Sequence, residues 1–257
     1  MVGAAHGASR PAQLLSLPVI GLFGYALVPA NVFLYGINDI FDAEIDAHNP
    51  KKAAREQRFR GDPLVVGAVV CSGLLGVGLV GLLATRSVRA ASLLLVFFAL
   101  AIEYSAPPLR FKTTPGLDSV SNGLYILPGI AAYSLLAGTG PPILVLLGGW
   151  LWTMAMHTLS AVPDIEADRA GGIQTTATVL GARGSLGYVG VCWLATAVCF
   201  GLLDARAGLL LGLYPVFVLG LGLSRLSVER AYWWFPALNT VVGAVLTMAG
   251  LWGLLYG

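Results

Sequence analysis

The sequence predicts an all-α protein, a polytopic transmembrane helical bundle of eight spans. Three observations lead there. Apolar residues make up 57% of the 257 positions, and the mean hydropathy is +0.80, well beyond an ordinary globular domain. Apolar runs of about 20 residues recur along the chain, each long enough to cross a bilayer as a helix. The two-residue alternation of membrane-barrel strands is absent.

The elements follow in order. The N-terminal stretch MVGAAHGASRPAQLL lacks a charged region ahead of an apolar core, so no signal peptide is expected of it. The first span covers 17–37 and runs into the acidic stretch YGINDIFDAEIDAHNP, whose helix Pro50 ends. The second, 63–84, contains GLLGVGLVGLL, glycines that suit close helix packing. The third, 88–105, carries Glu103 inside its apolar run, where an ionisable group is expensive. Glu103 is either a functional carboxylate, with Tyr104 lining the same cavity, or a group that snorkels or is protonated near the helix end. The fourth, 117–136, places Asp118 and Asn122 four apart, facing the bundle interior as site residues or as helix–helix hydrogen-bonding groups. The fifth, 141–163, carries His157, seven residues before Asp164, either facing the site as an acid–base group or packed and hydrogen-bonded. Pro163 kinks that helix just before a second acidic stretch, Asp164-Ile165-Glu166-Ala167-Asp168, which Gly171-Gly172 ends. The last three cover 184–203, 206–225 and 234–256. Cys71, Cys192 and Cys199 all lie inside spans and read as packing residues rather than a bridge or metal site. With no domain-sized linker, residues 1–257 read as one domain.

Positive charge orients the bundle. Lysine and arginine favour cytoplasmic loops. Of the 15 basic residues, all but Arg10, Arg86, Arg89 and Arg206 fall on the side of the two acidic stretches. Both stretches are therefore expected on the cytoplasmic face of the cell membrane, where they can meet. The net charge of +2, without a basic run, gives no reason to expect a nucleic-acid partner.

Asp39, Asp42 and Asp46 share one helical face, Asn38 lies four before Asp42, and Asp164 and Asp168 are likewise four apart. Glu44 and Glu166 point elsewhere and read as solvated or supporting. Acids that merely marked a loop would scatter over all faces. Five clustered carboxylates repel one another strongly in a low dielectric. Protonation relieves that, and so do hard divalent cations such as Mg²⁺ or Mn²⁺, which prefer carboxylate oxygens and bridge to substrate phosphates. Two such ions and a diphosphate still leave the cluster at roughly −4, so nearby cations must offset the rest. YSAPPLRFK supplies Arg110 and Lys112 on the same side, Arg169 adjoins the second stretch, and Lys51 follows the first.

These residues resemble a known family. Asn38-Asp39-x-x-Asp42-x-x-x-Asp46 matches the NDxxDxxxD signature of the UbiA superfamily of intramembrane prenyltransferases, and Asp164-x-x-x-Asp168 matches its second DxxxD motif. The resemblance implies that the two motifs hold Mg²⁺ ions that grip the diphosphate of an isoprenoid donor. It makes Asn38 and the five aspartates the catalytic set, the five aspartates the metal ligands, and Lys51, Tyr104, Arg110, Lys112 and Arg169 the diphosphate-binding set. The strings ANVFLYGINDIFDAEIDAHNPKK, EYSAPPLRFKTTPGLDSVSNGLYILPG and MHTLSAVPDIEADRAGGIQTTATVLG look like the lycopene elongase branch. That implies dimethylallyl diphosphate or another prenyl diphosphate as donor, and lycopene or another lipophilic acceptor entering from the lipid bilayer. A quinone precursor, haem or a lipid is the alternative acceptor within the superfamily. From another class, a divalent-cation or proton-coupled transporter also uses clustered acids, although such sites lie near the midplane at a repeat interface and no inverted repeat is evident. Hydropathy excludes a soluble prenyl-chain synthase.

The family has nine transmembrane helices, the second ending in the first acidic motif. From Pro11 to Asn38 there is room for one span, since two crossings with a turn need roughly 40 residues. Residues 1–16 therefore read as the loop after an absent first helix, with the expectation that the coding start lies upstream of Met1 or that the chain is truncated.

Overall fold

A computed structural model describes the backbone of residues 1–46, 61–224 and 226–257, with the side chains of 42–46 outside the description. Among the described residues fourteen α-helices follow one another: α1 (Val2–Gly7), α2 (Leu17–Leu27), α3 (Pro29–Asp46), α4 (Pro63–Ala84), α5 (Val88–Ser105), α6 (Leu117–Val120), α7 (Leu127–Ala137), α8 (Ile143–Ala161), α9 (Ile165–Ala170), α10 (Thr176–Gly201), α11 (Ala205–Leu211), α12 (Leu213–Leu223), α13 (Val228–Tyr232) and α14 (Phe235–Tyr256). Among the described residues there is no strand. Eight stretches of the described residues are long and apolar enough to cross a membrane: 17–41, 63–84, 88–105, 117–137, 143–170, 176–201, 205–223 and 228–256. Each of the eight expected spans has its counterpart.

The described residues pack as two compact units, one of residues 3–111 and 127–140, the other of 112–126 and 141–257. In the first, Pro29 breaks the first span into α2 and α3, because proline has no N–H to continue the ladder. Asn31 repairs the gap: its Nδ2 donates to the carbonyls of Ala26 and Leu27, at 3.1 and 3.2 Å. Freed backbone groups in an apolar medium need such a partner. α4 opens on Pro63 with Asp62 as its cap, Oδ1 accepting from Leu64 N at 2.9 Å. Gly36 and Gly76 then let side chains sit against bare backbone. A Cβ on Gly36 would overlap Val69, and one on Gly76 would overlap Phe98 and the Tyr25 hydroxyl. Tyr25, Phe33 and Phe98 meet edge to face, with centroids 5.9 and 5.2 Å from Phe98.

The N-terminus departs from the loop expected over residues 1–16. Val2–Gly7 is helical, Pro11–Leu15 forms a 3₁₀ turn, and Ala4 and Ala5 are each only 2% exposed. Composition explains it. Gly3 and Gly7 approach the α7 backbone at Gly129 and Tyr133, where any side chain would collide.

In the second unit, α8 and α10 lie side by side. Thr196 Oγ1 donates to Gly148 O at 3.0 Å and Trp193 Nε1 to Trp152 O at 3.2 Å. Trp193, Tyr214 and Phe235 fill the core, with the Trp193 and Phe235 rings stacked at 5.5 Å. α10 starts at Thr176, earlier than the expected residue 184, and is interrupted at Gly181, whose φ of +68° suits glycine alone. Arg183, flanked by Gly181 and Gly184, interrupts the apolar run and hides the earlier start.

Candidate active site

The first acidic stretch lies on the last turns of α3, helical through Asp46 as its spacing requires. Asn38 is fixed from α5: Ser105 Oγ donates to its Oδ1 at 2.8 Å. Asp39 is half-buried, while the Asp42 and Asp46 side chains and all of Lys51, Glu44's side chain and Pro50 lie outside the described residues. After α5 the chain turns back, and Arg110 Nη2 donates to Phe41 O on α3 at 2.7 Å. Arg110 takes a left-handed backbone, φ +43°, unusual for a residue with a side chain. Such a conformation costs on the order of 1–3 kcal/mol and collects at functional sites. Here it aims a guanidinium at the acidic turn of α3. Tyr104 is half-buried on the same helix as Ser105. Glu103 has a carboxylate oxygen, Oε2, that is inaccessible and without a hydrogen-bond partner among the described residues, so it does not snorkel into solvent.

The second acidic stretch is built on the kink that Pro163 was expected to make. α8 ends at Ala161, a 3₁₀ turn spans Val162–Asp164, and α9 carries Glu166 and Asp168 before Gly171 and Gly172 stop it. Gly172 has φ +70°. Asp164 and Asp168 are half-buried and Glu166 is exposed, in keeping with its reading as a solvated acid. Arg169 turns to the start of α10, its Nη2 donating to Thr178 O at 2.5 Å. With Gly172, Ile173, Gln174, Thr178 and Val179 it lines a shallow pocket. Lys112 is half-buried in the 3₁₀ turn Phe111–Thr113 of this unit.

Behind that stretch lies a buried polar network. Asp118 is 1% exposed. Its Oδ2 accepts from Thr176 N at 2.8 Å, and its Oδ1 accepts from the Thr176 hydroxyl. Thr176 Oγ1 in turn accepts from Gly116 N at 2.8 Å. Asn122 Nδ2 donates to the Asp118 carbonyl at 2.5 Å, which turns Asn122 toward its own helix. His157 Nε2 stands 3.9 Å from Asp118 Oδ2. Ser119 joins the Tyr188 hydroxyl at 3.0 Å and Thr158 Oγ1 at 3.2 Å. Asp118 and Asn122 do face an interior, as their spacing implied. Ser105, Thr176 and the backbone of Arg110 were not legible beforehand. Each acts across a long stretch of sequence or through a backbone angle, and no local pattern announces either.

An eight-span α-helical membrane protein with one acidic turn after its first span and another after its fifth defines a class of multi-pass integral membrane proteins with a polar, oxygen-rich site in each unit. The pattern of the UbiA prenyltransferase family matches residues 1–241. The chain belongs to that family and is a prenyltransferase, which removes the transporter alternative. It is 56% identical to a lycopene elongase/hydratase of Haloferax volcanii, over 100% of this chain and 84% of that one. It is 54% identical to a lycopene elongase/hydratase of Halobacterium salinarum, over 100% of this chain and 92% of that one. Its fold is that of a UbiA homologue from Archaeoglobus fulgidus solved with DMAPP and Mg²⁺, with TM-score 0.71 at 20% identity over 97% of this chain and 92% of that one.

Proposed function

We propose that the chain transfers a C5 prenyl group from dimethylallyl diphosphate to the chain ends of lycopene. The observation that supports this acceptor over a quinone precursor, haem or a lipid is the 54–56% identity, along the whole chain, to proteins named lycopene elongase/hydratase.

The donor set suits Mg²⁺: hard carboxylate oxygens, paired one helical turn apart, half-buried at Asp164 and Asp168. Among the described residues no three His, Cys, Asp or Glu side chains come together, and Asp42 and Asp46 are outside that set. Asp39, Asp42, Asp46, Asp164 and Asp168 are the residues that would hold the ions. Bound there, Mg²⁺ (or Mn²⁺) would offset the charge developing on the leaving diphosphate. Arg110, Lys112, Lys51 and Arg169 bind the diphosphate, and Tyr104 lines its cavity. Asn38, locked by Ser105, holds its side chain still for that task, so reorganisation on binding is small. The allylic carbon, freed of diphosphate, is captured by a terminal double bond of the acceptor, which enters from the lipid. Both acidic motifs face the cytoplasm in this reading, and the membrane is the cell membrane.

Expression in lycopene-producing cells tests the acceptor. Pigments should gain one or two C5 units at their ends. Unmodified lycopene beside a prenylated quinone precursor or haem would overturn the acceptor and leave the family membership intact.

A further inference from the structure

We propose that α13 is a strut that ties the second acidic turn to the bilayer interface, with Trp233 and Trp234 as its lipid anchor and Val228 as a positioning residue for Asp164 and Asp168. The positioning role rests on the reading of those two acids as the ones that hold Mg²⁺ on the diphosphate.

The turn that carries the acids is apolar on its inner side. Val162 and Ile165 bracket Asp164 and are buried, and Ile165 lies one helical turn before Asp168. With Ala177, from the first turn of α10, they form a small apolar cluster. Val228, the first residue of α13, packs against this cluster. It also packs against the main core around Trp193, Tyr214 and Phe235. Val228 therefore joins the underside of the acidic turn to the rest of the unit. α13 itself is held at both ends. Ser227 caps it, its Oγ accepting from Arg230 N at 3.3 Å. Beyond it, Phe235 stacks on Tyr232 at 5.6 Å and on Trp193 at 5.5 Å.

Between Tyr232 and Phe235 the chain turns two indoles outward. Trp233 and Trp234 are 75% and 74% exposed. An indole has an apolar body and one N–H, which suits the zone between hydrocarbon and headgroups. α14 supplies a ruler for that zone. At its far end Trp252 and Tyr256 are exposed too, with ring centroids 4.5 Å apart. Trp252 lies 18 residues after Trp234, a helical rise of about 27 Å, close to the hydrocarbon thickness of ~30 Å. The stretch between carries no charge, and Val241, Val245 and Met248 face outward along it. The two aromatic pairs thus mark the two faces of the membrane, and α13 lies at the face of the first pair. Its exposed Glu229 and Arg230 suit headgroups and water there. Through Val228, the acids take their depth from that plane.

The test uses magnesium-free protein in liposomes and reads hydrogen exchange along 162–173. In Val228→Ala those amides should exchange about tenfold faster or more, while 186–196 in α10 keep their wild-type rate. Val228→Ile should restore the protection. Should the alanine variant fail to assemble, the isosteric Val228→Thr should loosen the turn in the same direction. With Mg²⁺ added, KM for dimethylallyl diphosphate in Val228→Ala should rise by about threefold or more at a kcat near wild type. The double variant Trp233→Ser, Trp234→Ser should loosen 162–173 as well. The fluorescence it loses should be quenched more by lipid brominated near the headgroup than by lipid brominated at mid-chain. Unchanged exchange along 162–173, or exchange faster by one factor throughout the protein, overturns the strut. Indoles quenched most at mid-chain, or shielded from both lipids as at a contact with a second copy, overturn the anchor. A wild type that binds neither Mg²⁺ nor dimethylallyl diphosphate removes the site reading and with it the positioning role of Val228, while the magnesium-free exchange still decides the strut.

Discussion

Thr176 donates both its backbone N–H and its hydroxyl to the carboxylate of Asp118, 58 positions earlier in the chain. The N–H is one of those that α10 cannot satisfy within its own first turn. A buried carboxylate from another helix supplies the acceptor, and so fixes where the second acidic stretch hands over to α10. Removing the acceptor strands two donors. Asp118→Ala should therefore lower stability by about 1–3 kcal/mol, with Asp118→Asn less damaging because one amide oxygen still accepts. Thermal unfolding in detergent or nanodiscs measures it. Equal stability of Asp118→Ala and wild type would show that the network is not a structural clamp.

Arg110 should be sensitive in binding rather than in folding. Arg110→Gly relieves the left-handed backbone, worth about 1 kcal/mol or more to a residue with a side chain, and removes the guanidinium. Its KM for the prenyl diphosphate should rise by roughly tenfold or more while its unfolding temperature holds or climbs. Arg110→Lys keeps charge without the planar fork and should fall between. A Gly variant with an unchanged KM would remove Arg110 from the diphosphate site.

Metal dependence follows from the acidic pairs. Turnover should require Mg²⁺ or Mn²⁺ and stop with a chelator, and Asp39→Ala, Asp42→Ala, Asp164→Ala and Asp168→Ala should each abolish it. Glu166→Gln, whose side chain is exposed, should be mild. Full activity in both Asp42→Ala and Asp168→Ala would sink the assignment.

Packing in the second unit has a sharp test at Gly123. A Cβ there would overlap the Trp150 indole, whose Nε1 donates to Val120 O at 2.9 Å. Gly123→Ala should cost about 1–3 kcal/mol by overpacking and by displacing that bond. Combined with Trp150→Ala the costs should be strongly non-additive, because the smaller side chain removes the clash. Additive losses would mean that the two positions do not touch.

Hydropathy made the eight spans legible because the bilayer imposes a length and a composition on every crossing helix. It misjudged helix ends: Thr176–Leu180 is helical ahead of Arg183, whose charge interrupts the apolar run, and Val2–Gly7 is a helix of small residues where the sequence reads as loop. The helical turns that carry the acids, α3 to Asp46 and α9, follow the spacing of their carboxylates. Their supports were not legible. Ser105 beside Asn38, Thr176 beneath Asp118 and the left-handed turn at Arg110 depend on which helices adjoin, and a single sequence carries no signal of that.

Joining of a C5 unit to lycopene by this chain can be followed directly. The direct measurement uses purified protein in liposomes with Mg²⁺, isotopically labelled dimethylallyl diphosphate and lycopene, followed by mass analysis of the extracted lipids. Label should appear in carotenoids enlarged by one or two C5 units, and should be absent from them without Mg²⁺ or with Asp164→Ala. Lycopene recovered unlabelled from an enzyme that prenylates a quinone precursor or haem under the same conditions would contradict the claim.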